Sequence, residues 1–402
     1  MKNPAPKTTA KKTGAKTSTK ATTKTATKPA TKPATKPATK PATKPVTKPA
    51  TKPGDKKKEE PKHDKKHTEA KKNVKKEKEK EQPIDKRAFV SGEAPKKVEK
   101  VEIKVRNNMK CLMTVQAHDD WVEKALLLSN GKIITVGLDG IIKSWDVFKD
   151  SKKPLNILGG HTSGVTDVIE FGKDKIISVS KDKTIRKWSV GAGKELFCYK
   201  TDQPLNCIKK IDDSLIAVGG IDKSVYVFDF SKDVMNEEEY EQVQKARMEE
   251  HTEPITCLEL TKDKVLISGS SDKTICLWDL NAYKLIKKLE GHTDGVQCLK
   301  ILKDDTLASG SFDDTIKIWD LKNYTCIKTL TGHTGHVYCL NQLPDGKLIS
   351  GASDWSLIAW DLEKGTQAFT LEGHEECVNS IDVFPDGKII TGSTDQTMKV
   401  WD

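Results

Sequence analysis

Histidine and aspartate are the usual carriers of acid–base chemistry, and this 402-residue chain places them at fixed distances from one another. His118, His161, His251, His292, His333 and His374 each stand 21 residues before an aspartate: Asp139, Asp182, Asp272, Asp313, Asp354 and Asp395. Six residues after each aspartate comes a tryptophan: Trp145, Trp188, Trp278, Trp319, Trp360 and Trp401. A seventh set holds the same distances with Thr201, Asp222 and Phe228. A catalytic constellation is built once. Three spacings kept seven times, at intervals of 40 to 50 residues, describe a repeated structural unit.

Little chemistry is left outside the repeat. His63 and His67 lie four apart, which would suit a metal on a helix, but no third ligand accompanies them. His336 follows His333 by three residues without a nucleophile fixed nearby. The chain has no glycine-rich phosphate loop, zinc-protease motif, nucleophile elbow or kinase motif. The nine cysteines form no Cys-x-x-Cys pair, and four of them (Cys207, Cys257, Cys298, Cys339) occupy one repeat position, as small apolar strand residues. These residues point to no enzyme, no cofactor and no bound metal. Binding is the remaining class.

The unit that positions the histidines is all strand. In residues 292–320, Val296 to Ile301, Thr306 to Ser309 and Thr315 to Trp319 are short apolar or β-branched runs bounded by Asp and Gly. Thr325 to Leu330 supplies a fourth strand before the next histidine. Four strands repeated seven times predict an all-β ring of small sheets that cover one another's faces, a seven-bladed propeller.

On these residues the chain resembles the WD-repeat family of β-propellers over roughly residues 111–402. The resemblance rests on Gly160-His161, Gly291-His292, Gly332-His333 and Gly373-His374, and on the closing pairs Trp145-Asp146, Trp278-Asp279, Trp319-Asp320, Trp360-Asp361 and Trp401-Asp402. It implies a side-chain network in each blade that joins the turn Asp, the His, the closing Trp and a strand hydroxyl. The hydroxyl position lies four before the Asp: Thr135, Ser178, Ser268, Ser309, Ser350 and Thr391. Blade 3 has Thr201, Val218 and Phe228 there, so apolar packing is expected to substitute, and Asp222 to cap at most its own turn through backbone N–H groups. The segment Cys111 to Gln116 matches the fourth-strand positions and is expected to complete blade 7.

The net charge of +11 hides two opposite bodies. Residues 1–110 hold 34 Lys and Arg against 12 Asp and Glu, which leaves 35 basic and 46 acidic residues in 111–402. The expected organisation is a disordered Lys/Thr/Pro/Ala-rich tail over 1–54, a charged and mostly disordered linker over 55–106, and the propeller over 107–402. Thr-Lys-Pro recurs seven times between Thr27 and Pro53, a spacing of ammonium groups suited to nucleic acid, a ribonucleoprotein or another polyanion, or to a plain spacer. The tail lacks a signal-peptide core, and no run reaches transmembrane length. An intracellular protein without membrane insertion is expected, in nucleus or cytoplasm.

In the resembling family, the face of His turns and Asp turns commonly receives peptides and partner loops. Repeat geometry carries its positions to Trp121, Leu138, Ile221, Phe312, His336, Tyr338 and Trp355, and the nearby Asp119, Asp120 and Glu123 would favour a basic peptide. An insertion over Ser231 to Val243, containing Glu237-Glu238-Glu239, lengthens the step from Phe228 to His251 to 23 residues, against 14 in blades 4 to 6. The expected function is a non-enzymatic scaffold or adaptor whose propeller binds protein or peptide partners. The alternatives are a substrate-recognition subunit of a ubiquitin ligase and a cytoskeletal or vesicle-coat component.

Overall fold

The structure is a computed structural model that describes residues 109–149, 152–232 and 240–402. The expectations for the tail, the linker and Glu237-Glu238-Glu239 lie outside the described residues. Within them are seven antiparallel sheets of four strands each. In six blades the strands pair in sequence order. In the seventh, the strand Cys111–Gln116 pairs with Thr397–Trp401 and forms the outer edge of a sheet otherwise built from the end of the chain. The inner strands touch in a closed circle, that of blade 7 (Val378–Val383) against that of blade 1 (Val122–Leu127).

Burial explains which residues stand where. The second strand of each blade is covered on both faces by neighbouring blades, so Ile133–Gly137, Leu307–Ser311 and Ile389–Ser393 are buried at every position. Outer strands face solvent: Lys284–Leu289 is exposed over its first four residues. Cores form between sheets. Val115, Ile390, Met398 and Val400 of blade 7 pack with Val122, Ala125, Ile133 and Trp145 of blade 1, an apolar seam that closes the ring.

In blades 3 to 7, close approach of neighbouring blades places glycine in the second strand (Gly219, Gly269, Gly310, Gly351, Gly392). A Cβ added to Gly310 would lie 2.6 Å from Cys298 Sγ in its own blade and 2.6 Å from Val337 Cγ1 in the next. Gly351 stands in the same relation to Cys339 and Val378. The repeated cysteine is thus the small residue that faces a glycine. Burial raises these thiols, Cys257 to about 12, so they stay protonated as packing atoms.

Replacing Gly310 by Ala is expected to cost about 1–3 kcal/mol by overpacking. Gly346→Ala, at φ +93° with no atom near the added Cβ, carries only backbone strain of about 1 kcal/mol. Urea denaturation of both variants measures the order, and equal losses would contradict the packing account.

Candidate functional site

In six blades one hydrogen-bonded chain runs from the closing tryptophan to the turn aspartate. In blade 5, Trp319 Nε1 donates to Ser309 Oγ at 2.8 Å, that hydroxyl lies 2.7 Å from His292 Nε2, and His292 Nδ1 lies 2.8 Å from Asp313 Oδ2. Blades 1, 2, 4, 6 and 7 repeat it through Thr135, Ser178, Ser268, Ser350 and Thr391. An indole only donates and a carboxylate only accepts, so the protons order themselves: indole to hydroxyl, hydroxyl to Nε2, Nδ1–H to carboxylate. Burial lowers the pKa of His292 and His374 against the pull of their aspartates, consistent with neutral imidazoles. Burial raises Asp313, but Thr315, the backbone N–H of Thr293 and His292 outweigh it and bring the carboxyl down to about 2. Every member is satisfied and the set is used up structurally.

Blade 3 corrects the sequence expectation. Asp222 takes a hydrogen bond from the Tyr226 hydroxyl, four residues on, rather than capping its turn through backbone N–H groups. Arg247 Nη2 stands 3.8 Å from the same carboxylate, and its guanidinium lies over the Tyr226 ring. Apolar packing supplies the rest: Phe228, Phe230, Tyr199 and Tyr226 form one aromatic cluster, which Tyr240 of the insertion joins through Tyr199 at 4.6 Å.

Two backbone features repeat in every blade and aim side chains at the face of the His and Asp turns. The residue after each turn Asp adopts left-handed φ: Gly140, Lys183, Lys223, Lys273, Asp314, Trp355 and Gln396. The inner strand carries a bulge five residues after the His or Thr position, which holds Glu123, Thr166, Asn206, Thr256, Gln297, Tyr338 or Asn379. Most bulge residues tie blades together. Thr166 donates to Leu205 O at 2.9 Å, Asn206 to Ile255 O at 2.8 Å and Asn379 to Val122 O at 3.2 Å.

These turns surround a central channel of about 780 Å³. Of the residues expected to meet partners, Trp121, Tyr338 and Trp355 line it, beside Glu123 and Glu376. Phe312 stacks on His336 at 4.5 Å between centroids and meets Tyr338 edge-on at 5.6 Å, so these two residues extend the aromatic wall outward. Leu138 is half-buried and fills the space over Gly164 of blade 2. Ile221 stands apart on blade 3, exposed and away from the channel lining. The aromatic residues therefore gather on one sector, in blades 5, 6 and 1 on either side of blade 7.

Deeper in the channel each blade gives one polar residue: Lys124, Asp167, Lys209, Glu259, Lys300, Asn341 and Asp382. Charge alternates around the ring. Lys124 pairs with Asp167, and Lys209 Nζ lies 2.5 Å from Glu259. A ring of seven cannot alternate throughout, and the neutral Asn341 sits where sign would repeat, donating to Asp382 Oδ1 at 3.2 Å. Sequence reading missed this ring. Its signal was the alternation of Lys and Asp or Glu six or eight residues after each His or Thr position.

Fold and network together define a repeat propeller in which each blade is locked by its own polar chain. The family model "WD domain, G-beta repeat" matches residues 109–146, 152–189, 242–279, 283–320, 324–361 and 365–402, and the chain belongs to that family. The unmatched stretch holds the inner three strands of blade 3, where the polar chain is missing. Among solved structures the chain is similar to the WD40 β-propeller domain of Doa1, at 22% identity and a TM-score of 0.64, over 73% of this chain and 97% of that one. No curated protein matches. Membership implies a protein-interaction scaffold in a family that is generally non-enzymatic. Among the described residues no helix is long and apolar enough to cross a membrane.

Asp313→Ala strands an imidazole, a hydroxyl and two backbone N–H groups, at a cost of about 2–3 kcal/mol. Asp222→Ala strands one half-buried phenol and is expected to cost about 1 kcal/mol. Chemical denaturation of the two variants compares them, and equal losses would mean that Tyr226 and Arg247 replace the whole network.

Glu123 gives a second test. Burial and the nearby Asp120 and Asp167 outweigh Lys181 and raise its carboxyl from 4.5 to about 7. A carboxyl raised by folding stabilises fully below its ordinary value, and that contribution is lost as pH rises through 7. Glu123→Gln is therefore expected to raise stability by about 1–2 kcal/mol at about pH 8 and to leave it unchanged near pH 4.5. Urea midpoints at the two pH values read this directly; a pH-independent difference would contradict it.

Proposed function

We propose that the protein is an adaptor that holds a protein partner on the aromatic sector of blades 5, 6 and 1, while its N-terminal tail attaches electrostatically to nucleic acid or another polyanion. The observation that carries the first half is Trp355. Its position demands left-handed backbone (φ 69°), a conformation in which a bulky side chain is strained and which glycine occupies without cost. Blade 1 has Gly140 there. A tryptophan at that site, 53% exposed, adds nothing to the fold that a smaller residue would not supply. Strain held on an exposed aromatic is a mark of a binding surface. Trp121, 47% exposed, faces the same opening.

The support for the second half is charge: 34 basic against 12 acidic residues in 1–110, with Thr-Lys-Pro at a four-residue period. Regular ammonium groups without aromatic neighbours bind phosphates without reading sequence.

Replacing Phe312 and Trp355 together by Ala is expected to remove most propeller-dependent partners from affinity capture and to leave the melting temperature nearly unchanged. Retention of every partner would place the interface elsewhere, and unfolding would make these side chains core. For the tail, the intact chain is expected to bind unrelated DNA duplexes alike and to lose affinity by about 10³-fold or more between about 50 and 200 mM salt. A salt-independent affinity, or equal binding after residues 1–60 are removed, would contradict the proposal.

A further inference from the structure

We infer that the channel mouth takes a cationic side chain, lysine or arginine, from a peptide segment of the partner, with Glu123 as its counter-ion and Trp121, Tyr338 and Trp355 around its stem. The inference rests on the top-face reading above and names the chemistry that this surface selects.

The argument starts from the bulge position. In blades 2, 3, 4 and 7 that residue is Thr or Asn and donates to a backbone carbonyl of the next blade. Blades 5, 6 and 1 hold Gln297, Tyr338 and Glu123 instead, and among the described residues none of these side chains makes a hydrogen bond or ion pair. The ring stays closed without such ties, so structure does not account for Tyr338 or Glu123. Among the described residues the indole N–H groups of Trp121 and Trp355 likewise have no hydrogen-bond acceptor.

Glu123 is the member that specifies the ligand. Its carboxylate is half-buried in the channel wall. The groups that act on it are Lys181 from the Asp turn of blade 2, Asp120 from its own loop and Asp167 from the next inner strand. Asp167 is already neutralised by Lys124 and accepts Ile208 N–H. Lys181 forms no ion pair with Glu123. Tyr338 faces Glu123 and Cys377 across the mouth, and Glu376 adds a second carboxylate to the lining. A half-buried carboxylate without a counter-ion is costly, and a cation from outside removes that cost. Aromatic faces favour a cation further and cover the aliphatic stem of a long side chain. An anionic residue would meet two carboxylates; an apolar one would bury Glu123 uncompensated.

The uptake is coupled to protons. Because burial and the nearby Asp120 and Asp167 hold Glu123 at about 7, an arriving cation lowers it and releases a proton near neutral pH. Affinity should fall as pH drops from 8 to 6.

The test uses three short capped peptides, Ala-Lys-Ala, Ala-Arg-Ala and Ala-norleucine-Ala, titrated against the intact chain and a chain beginning at residue 107, which keeps all seven sheets. Indole N–H resonances report the result, with the six buried closing tryptophans as internal controls. The Lys and Arg peptides are expected to shift Trp121 and Trp355 saturably and to leave the six controls still. Norleucine is expected to do nothing, and Glu123→Gln to weaken the cationic peptides by about tenfold or more. Equal effects of norleucine and lysine, no saturable shift in either chain, or full binding by Glu123→Gln would overturn the inference. The two readings separate through partner capture. Loss of partners in the Phe312/Trp355 double variant with full retention in Glu123→Gln keeps the top face and overturns the cation. Retention in both overturns both.

Discussion

The architecture depends on one requirement: a carboxylate half-buried in a turn must find donors. Each of six blades answers with the same chain of indole, hydroxyl and imidazole, in which every proton has an acceptor. That chain joins the second and third strands of a blade to the turn between them and to the loop that leads into the blade, so the turn and the closing tryptophan are set together. Apolar contact between sheets supplies the bulk of the stability, yet it is non-directional.

Because the same positions recur seven times, the structure contains its own controls. A bulge residue that ties one blade to the next in blades 2, 3, 4 and 7 does no such work in blades 1, 5 and 6. A left-handed turn position filled by Gly, Lys, Asp or Gln elsewhere carries Trp355 in blade 6. Departures of this kind, where local fitness is given up with no gain to the fold, support the partner-binding surface proposed above. They converge on one side of the channel mouth. Blade 3 also departs, but there Tyr226, Arg247 and an aromatic cluster replace only part of the missing His, Ser and Trp, and Asp222 Oδ1 is buried without a hydrogen-bond partner among the described residues.

Much of this was legible in the chain. Fixed spacings gave the blades, and Cys111 to Gln116 could be matched to the outer strand of blade 7 because it repeats the positions of Thr325–Thr331 and its counterparts. The positions of Trp121, Tyr338 and Trp355 at the channel mouth followed from the family resemblance, carried onto this chain by repeat position. Other features depend on contacts across blades, which sequence does not order. The partner of Asp222 lies four residues on, at a position held by Lys, Arg, Cys or Ile in other blades, so no repeat pattern announced it. The alternating ring from Lys124 to Asp382 spans seven strands and two strand depths. The separation of Leu138 and Ile221 from the aromatic sector is a matter of packing, since Leu138 is drawn down onto Gly164.

Hydrogen exchange at the indole N–H groups tests the central claim most directly. If the polar chain is a working unit, the six closing indoles exchange together and only on global opening, while Trp121 and Trp355 exchange at once. In an Asp354→Ala chain, the Trp360 indole should then exchange far faster than Trp319 in the neighbouring blade, although Trp360 itself keeps its contact with Ser350. Unchanged protection of Trp360 in that variant would show that apolar packing alone holds the blade, and would contradict the account.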